Sequence, residues 1–351
     1  MITRNIKLLF FIVWLPVQIA IAQTTSPFNK LPIVDTAETF SFVVSGHFHG
    51  ESTNQSTFPA STILAGIDTL NNLRPAFLMS LGDMFLDVNE RYIQNYNNSL
   101  FGKLKMPIFN AVGNHDLSNG NYYEKIYGNT FFKFVSHSCL FIVLNTEVND
   151  GSIKDEQLDF FKEALLLGRK DSIKKIFIFS HRPIWSENDV VFEKLFKGNS
   201  RTAFGVNNYE DEVKPLIEEF SKTKSIYWMS GSMANAPASF FYHKDPNTKI
   251  TFMQTAIRDL PRDAVLQVNV TDEKVSFKGL SLTGQDLQPV ESYELNFWNR
   301  NISVDEPFNF RLIPLYTKNM ILHRYFWIGV IFSLLSAILI IFFFKKFNKK
   351  K

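Results

Sequence analysis

The sequence predicts an α/β sandwich that carries its chemistry where the strands end. Three observations point there: short apolar runs that close on small or polar residues, acidic-fronted amphipathic segments between them, and loops rich in His, Asp and Asn directly after the runs. The runs are FSFVVSG, AFLMSLGD, PIFNAVGN, LFIVLNTE, KIFIFSHRP and SIYWMSG. Continuous apolar stretches of this length, bounded by turn chemistry, read as strands buried on both faces.

Between the runs lie helical patterns. In KDEQLDFFKEALLLG, Leu158, Phe161 and Leu165 recur at helical spacing, and Asp155 and Glu156 favour the positive end of the helix dipole. YEDEVKPLIEEFSKT is a second such helix, with a kink expected at Pro215. KITFMQTA, AVLQVNVT and KVSFKGLSL follow at closer spacing, and their alternation predicts antiparallel strands. The order, βα units first and hairpins last, favours a sandwich over a purely parallel sheet. The stretch 284–324 is less periodic, is broken by Pro289, Pro307 and Pro314, and is expected to be a stalk or small extension.

Composition narrows the function classes. A hydrophobic share of 45% in 351 residues excludes a disordered chain. One cysteine excludes a disulfide framework or a zinc ribbon. The net charge of +3 comes from the chain ends, Arg4 and Lys7 at one and five lysines in 345–351 at the other, so the body is slightly acidic and nucleic acid is not an expected partner. Residues 1–22 join Arg4 and Lys7 to an apolar run ending Ala20-Ile21-Ala22, the pattern of a cleaved signal peptide. Tyr325 to Phe344 contains no charge. As a helix it would rise about 30 Å, enough to cross a bilayer, and the lysines after it predict a cytoplasmic tail, 345–351. The expected topology is therefore single-pass, with the N-terminal domain periplasmic or extracellular.

Polar residues gather after the expected strands: Gly46-His47-Phe48-His49-Gly50, Gly82-Asp83 with Asp87 a turn later, Gly113-Asn114-His115-Asp116, and His181-Arg182-Pro183. Open α/β sheets build their sites at the carboxyl ends of strands. Asp, Asn and His together suit Mn, Fe, Zn or Mg. One such loop is ordinarily a turn; four in series are a candidate metal site.

These blocks resemble the calcineurin-like metallophosphoesterase family over about Phe40 to Leu282. The family's pattern reads Asp-x-His, Gly-Asp-x-x-Asp, Gly-Asn-His-Asp/Glu, His before Pro, and Gly-His-x-His. The resemblance implies an αββα sandwich of two mixed β-sheets flanked by helices, spanning 38–283, with metals held by His49, Asp83, Asn114 and His181; His47 would complete a two-His-one-carboxylate set with His49 and Asp83. Asp83 would bridge two ions, and His49 would bind the first. Asn114 and His181 would bind the second. His115 would assist the leaving group, oriented by Asp87 or Asp116, and Asn114 would contact substrate; Arg182 would either contact a phosphate through its planar fork or form a surface ion pair. A metal-bound hydroxide would then hydrolyse a phosphomonoester or phosphodiester, on a phosphorylated small molecule, lipid headgroup or glycan. Two departures stand out: His47 replaces the family's first aspartate, and Gly231-Ser232-Met233-Ala234 stands where Gly-His-x-His is expected. The remodelled site is expected to hold one ion firmly and a second weakly. The alternative is a catalytically silent ectodomain that binds a protein, glycan or lipid headgroup.

Overall fold

A computed structural model describes residues 24–34, 39–54, 56–186, 191–192, 195, 207–233, 236–301 and 324–348. The expected signal peptide, 1–22, lies outside them. The fold is an α/β sandwich of two mixed sheets. Strands β1 (Phe40–Ser45), β2 (Leu78–Ser80), β3 (Ile108–Asn110), β10 (Ala264–Val270) and β11 (Val275–Ser281) form one sheet, in the order β11-β10-β1-β2-β3. Strands β4 (Phe132–Ser136), β5 (Cys139–Val143), β6 (Lys175–Ser180), β7 (Ser225–Ser230), β8 (Phe240–Lys244) and β9 (Ile250–Thr255) form the other, in the order β4-β5-β6-β7-β9-β8.

The six apolar runs become β1, β2, β3, β5, β6 and β7, joined through parallel pairings in each sheet. Every residue of β5 and β6 is buried, as strands covered on both faces require. One pairing differs from expectation. KITFMQTA, read as antiparallel, is β9, which lies parallel to β7 and pairs antiparallel only with the edge strand β8. All six of its residues are buried, so its alternation reports no exposed face.

The two sheets face each other across an aromatic core. Phe42 stacks on Phe77 (ring centroids 4.8 Å), Phe134 on Phe141 (4.8 Å) and Phe141 on Phe177 (5.2 Å). Much of the chain's phenylalanine therefore fills this layer. Helices α1 (Ser61–Ala65), α2 (Ile67–Leu73), α3 (Glu90–Tyr96) and α4 (Tyr122–Tyr127) belong to the first half of the chain, and Ile63, Leu70, Tyr92 and Tyr123 bury their side chains in a core shared with Val43, Leu78 and Ile108. Helix α5 (Asp155–Gly168) turns Phe161, Ala164, Leu165 and Gly168 inward, a stripe at helical spacing. Its Gln157 is buried and exchanges two hydrogen bonds with the Asn145 main chain, fixing the helix to the end of β5. Helix α6 (Lys214–Ser221) carries Pro215 in its first turn, where a missing N–H costs nothing, so the expected kink is a start. A π-turn, Tyr209–Val213, precedes it.

Two segments outside 38–283 also pack on the domain. Ser26 donates to the Ile108 carbonyl (2.8 Å), and Phe28 packs on Phe101 and Tyr127. At the other end, α7 (Leu295–Asn301) buries Trp298, whose indole N–H donates to the Phe240 carbonyl (3.0 Å). The described part of the expected stalk, up to residue 301, is thus docked on β8.

The last helix, α8, runs Arg324–Asn348, 25 residues. Among the described residues, no helix is long and apolar enough to cross a membrane. Residues 326–342 of α8 carry no charged side chain. Within that window Ile328, Phe332, Leu334, Ile338 and Phe342 are exposed.

Candidate metal centre

The site forms where strands of both sheets release their chains. His47 and His49 follow β1, Asp83 follows β2, His115 and Asp116 follow β3, and His181 follows β6. The loops are tied to one another by main-chain bonds. His47 N–H donates to the Gly82 carbonyl (2.9 Å), and both Gly231 and Ser232 donate N–H to the His181 carbonyl (2.9 and 2.8 Å). His47 and Asp83 both adopt positive φ, 57° and 54°. Such backbone costs on the order of 1–3 kcal/mol at a non-glycine residue and persists where the surroundings over-determine it, most often at functional sites.

Three imidazoles converge on one carboxylate oxygen. Asp83 Oδ2 lies 3.7 Å from His47 Nε2, 3.8 Å from His49 Nε2 and 3.4 Å from His181 Nε2. His181 is oriented by its other nitrogen, which donates to the Leu81 carbonyl (2.8 Å). Asp83 Oδ1 is held by the His115 N–H (3.0 Å). All four residues around Oδ2 are buried, none more than 6% exposed.

Two glycines admit this crowding. A Cβ on Gly113 would stand 2.2 Å from Asp83 Oδ1, and one on Gly82, whose φ is +89°, would stand 2.5 Å from His181 Nδ1.

The electrostatics suit a cation. Burial pushes the pKa of His47 well below the ordinary histidine value and lowers that of His49, which favours the neutral imidazole that can ligate a metal. For Asp83, burial works upward, but His181, His49, His47 and His115 outweigh it and hold the carboxyl well below its usual range. For His181, burial works downward and is outweighed by Asp83 and Glu147, which raise it.

Both ring nitrogens of His47 and both of His49 are buried without a hydrogen-bond partner. An unpaired buried polar group costs about 1–3 kcal/mol, so four in one place call for a ligand. Ligand atoms about 2.0–2.2 Å from a tetrahedral ion stand roughly 3.4 Å apart, close to the separations found here. His47, His49 and Asp83 offer atoms all within 4.8 Å of one another. The donor set therefore fits a divalent cation of the Mn, Fe or Zn kind.

The remaining expected residues divide. His115 is half-buried, and its Nδ1 donates to the Leu86 carbonyl (2.9 Å), which leaves Nε2 available. That carbonyl, not Asp87 or Asp116, orients the ring. Asp116 is fully buried and accepts from the Phe85 and Gly113 N–H groups and from Asn110 (each 3.0 Å). It is a brace for the β2 and β3 loops. Asp87 accepts from Ser118 (2.7 Å) and Asn89 (2.8 Å). Asn114 is exposed and forms no hydrogen bond with the clustered residues. Arg182 gives its planar fork to Glu147, at 2.7–2.9 Å, and Glu147 is nearly buried. Ser232 uses its main chain on His181, and Ala234 lies outside the described residues.

Comparison with solved structures bears on the fold. A purple acid phosphatase from seeds of yellow lupin (Lupinus luteus) superposes with a TM-score of 0.50 at 11% identity, over 74% of this chain and 54% of that one. The fold is shared with a purple acid phosphatase. The match spans about half of that protein's length. A predicted phosphoesterase from Streptococcus pneumoniae (12% identity, 70% of this chain and 92% of that one, TM-score 0.32) and a cold-active protein tyrosine phosphatase (13%, 70% and 77%, TM-score 0.30) resemble it more distantly. No family model matches the chain, and no curated protein matches it.

Proposed function

We propose that this chain is a divergent calcineurin-like metallophosphoesterase: an exported, membrane-anchored hydrolase of phosphoric esters. The observation that carries the reading is the convergence of His47, His49 and His181 on Asp83, with His47 and His49 each left an unpaired ring nitrogen to offer a ligand. His47, His49 and Asp83 would hold one ion, and His181, which approaches the same carboxylate oxygen, would support a second, weaker one. When bound, such an ion supplies Lewis acidity and lowers the pKa of water.

The chain's own residues do the rest. Asp83 gathers the imidazoles and, through Oδ1, fixes the main chain at His115. With Nδ1–H held by the Leu86 carbonyl, His115 can take up or hand over a proton only at Nε2, the atom for a leaving alkoxide. Asp116 and Asn110 keep the β2 and β3 loops in register beneath it.

The anchor reading rests on sequence and on α8. A helix apolar on all sides is buried or spans a membrane, and the described face of α8 is exposed. The substrate would then be a phosphorylated small molecule, lipid headgroup or glycan outside the cytoplasm. Turnover of aryl phosphate mono- and diesters by the purified full chain with Mn²⁺, Zn²⁺ or Fe²⁺ tests the chemistry. Rates equal to those of Asp83→Asn would favour a silent binding domain instead. Extraction of membranes at alkaline pH tests the anchor: the full chain should stay with the bilayer, and a chain ending at residue 323 should not.

A further inference from the structure

One cation beside the site belongs to no expected motif. Strand β9 ends at Thr255, and Ala256 makes a bridge to Gly46, the residue before His47. Gly46 N–H donates to the Thr255 carbonyl (3.0 Å) and Ile257 N–H to the Gly46 carbonyl (3.1 Å). The chain leaving β9 is therefore stitched to the loop that carries both histidines, and Arg258 is its next residue.

The loop after it is rigid. Arg258 N–H donates to Asp263 Oδ1 (3.0 Å), while Asp263 Oδ2 accepts from Leu260 N–H (3.2 Å) and the Thr62 hydroxyl (2.7 Å). Asp263 is fully buried. Asp259 adds a bond from the Thr62 N–H (3.0 Å). These contacts preset the backbone and leave the guanidinium unspent. Arg258 is half-buried, its Nε is buried without a hydrogen-bond partner, and no carboxylate pairs with it among the described residues. Arg182 is the contrast, since Glu147 fills its fork. The loop also lies against the far end of the histidine loop: a Cβ on Gly50, the residue after His49, would stand 3.1 Å from Asp259 Cβ.

A permanently charged, partly desolvated guanidinium without a counterion is costly unless an anion arrives. Its planar N–H fork matches two oxygens of a tetrahedral oxyanion.

We propose that Arg258 is a substrate-binding residue, gripping non-bridging oxygens of the phosphoryl group presented at the His47–His49–Asp83 centre. This rests on the phosphoesterase reading above and adds a residue to it.

The test is titration of inorganic phosphate into the Mn²⁺-loaded full chain by calorimetry, with metal content measured in parallel. Arg258→Met should retain the metal and bind phosphate about 10- to 100-fold more weakly, the loss of one or two charge-assisted hydrogen bonds. KM for an aryl phosphate should rise with it. Phosphate affinity within threefold of wild type, at wild-type metal content, overturns the proposal. Should Arg258→Met not fold, Arg258→Lys keeps the charge but loses the fork. It should weaken phosphate by about threefold to tenfold, and unchanged affinity overturns the proposal equally. A wild type that hydrolyses aryl phosphate with a KM insensitive to both variants removes Arg258 and leaves the phosphoesterase reading standing. A metal-loaded wild type that neither binds phosphate nor turns over ester removes both.

Discussion

Gly113→Ala probes the close packing on which the centre depends. Its added Cβ would lie 2.2 Å from Asp83 Oδ1, 2.6 Å from Asp83 N and 2.8 Å from its Cγ. Ordinary contact begins near 3.4 Å, so the two loops must part by about 1.2 Å. The backbone of Gly113 is itself pinned to Asp116 Oδ2, so the yielding partner is the Asp83 carboxylate. Overpacking of this kind costs about 1–3 kcal/mol in stability. A carboxylate moved by more than an ångström also abandons the three imidazoles, and disturbing a ligand's support typically costs 10- to 100-fold in metal affinity. Competition against a chromophoric chelator measures the affinity, and urea unfolding in excess chelator measures the stability. Gly120→Ala is the control. Nothing stands within 4 Å of its Cβ, but its φ of +58° makes alanine cost about 1 kcal/mol with no effect on metal. Wild-type metal affinity in Gly113→Ala, with stability lowered by less than about 0.5 kcal/mol, would refute the geometry.

Three further outcomes are expected. Asp116 is pushed up to about 6, first by burial and then by Asp83, against the hydrogen bonds from Gly113, Asn110 and Phe85. A raised acid contributes stability fully present below its unfolded value of 3.8 and lost as pH rises through about 6. The stability of wild type relative to Asp116→Asn should therefore fall by about 2–3 kcal/mol between pH 4 and pH 6.5 in unfolding titrations, and a flat difference would contradict the assignment. Trp298→Ala should cost about 3–5 kcal/mol, because the indole is buried and bonded to Phe240; a loss below about 1 kcal/mol would return 295–301 to the status of a stalk. His115→Gln should lower kcat by about 10²–10⁴ while metal content holds, since the contact with Asp83 is made by the main chain; loss of metal instead would make His115 a ligand.

Much of the fold was legible because its central strands are buried on both faces and so read as unbroken apolar runs. Strands β4 and β8 were not, since each is a five-residue edge strand, half-buried in part and mixed with polar residues, without an unbroken apolar run. The parallel setting of β9 was hidden for a different reason: pairing direction depends on the β7 neighbour, which sequence spacing does not report. At the site, the histidines and Asp83 stood out because each lies just past the end of a strand, His47 and Asp83 directly after a glycine. The Leu86 carbonyl that aims His115 is backbone and leaves no residue-type signal. Glu147 and Arg258 belong to no motif; their loops meet the site loops only because the β5 and β9 ends lie beside the β6 and β1 ends in three dimensions. The contrast between Arg182, flagged but already paired, and Arg258, unflagged and unspent, shows that a cation's availability is a tertiary property.

The central claim is that the His47–His49–His181 cluster around Asp83 holds a transition metal. Elemental analysis of the purified full chain, set beside Asp83→Asn, tests it most directly. The account predicts near-stoichiometric Mn, Fe or Zn in the wild type, lost in the folded variant. A wild type that takes up no metal even when offered these ions in excess, or a folded Asp83→Asn that keeps its metal, would contradict it.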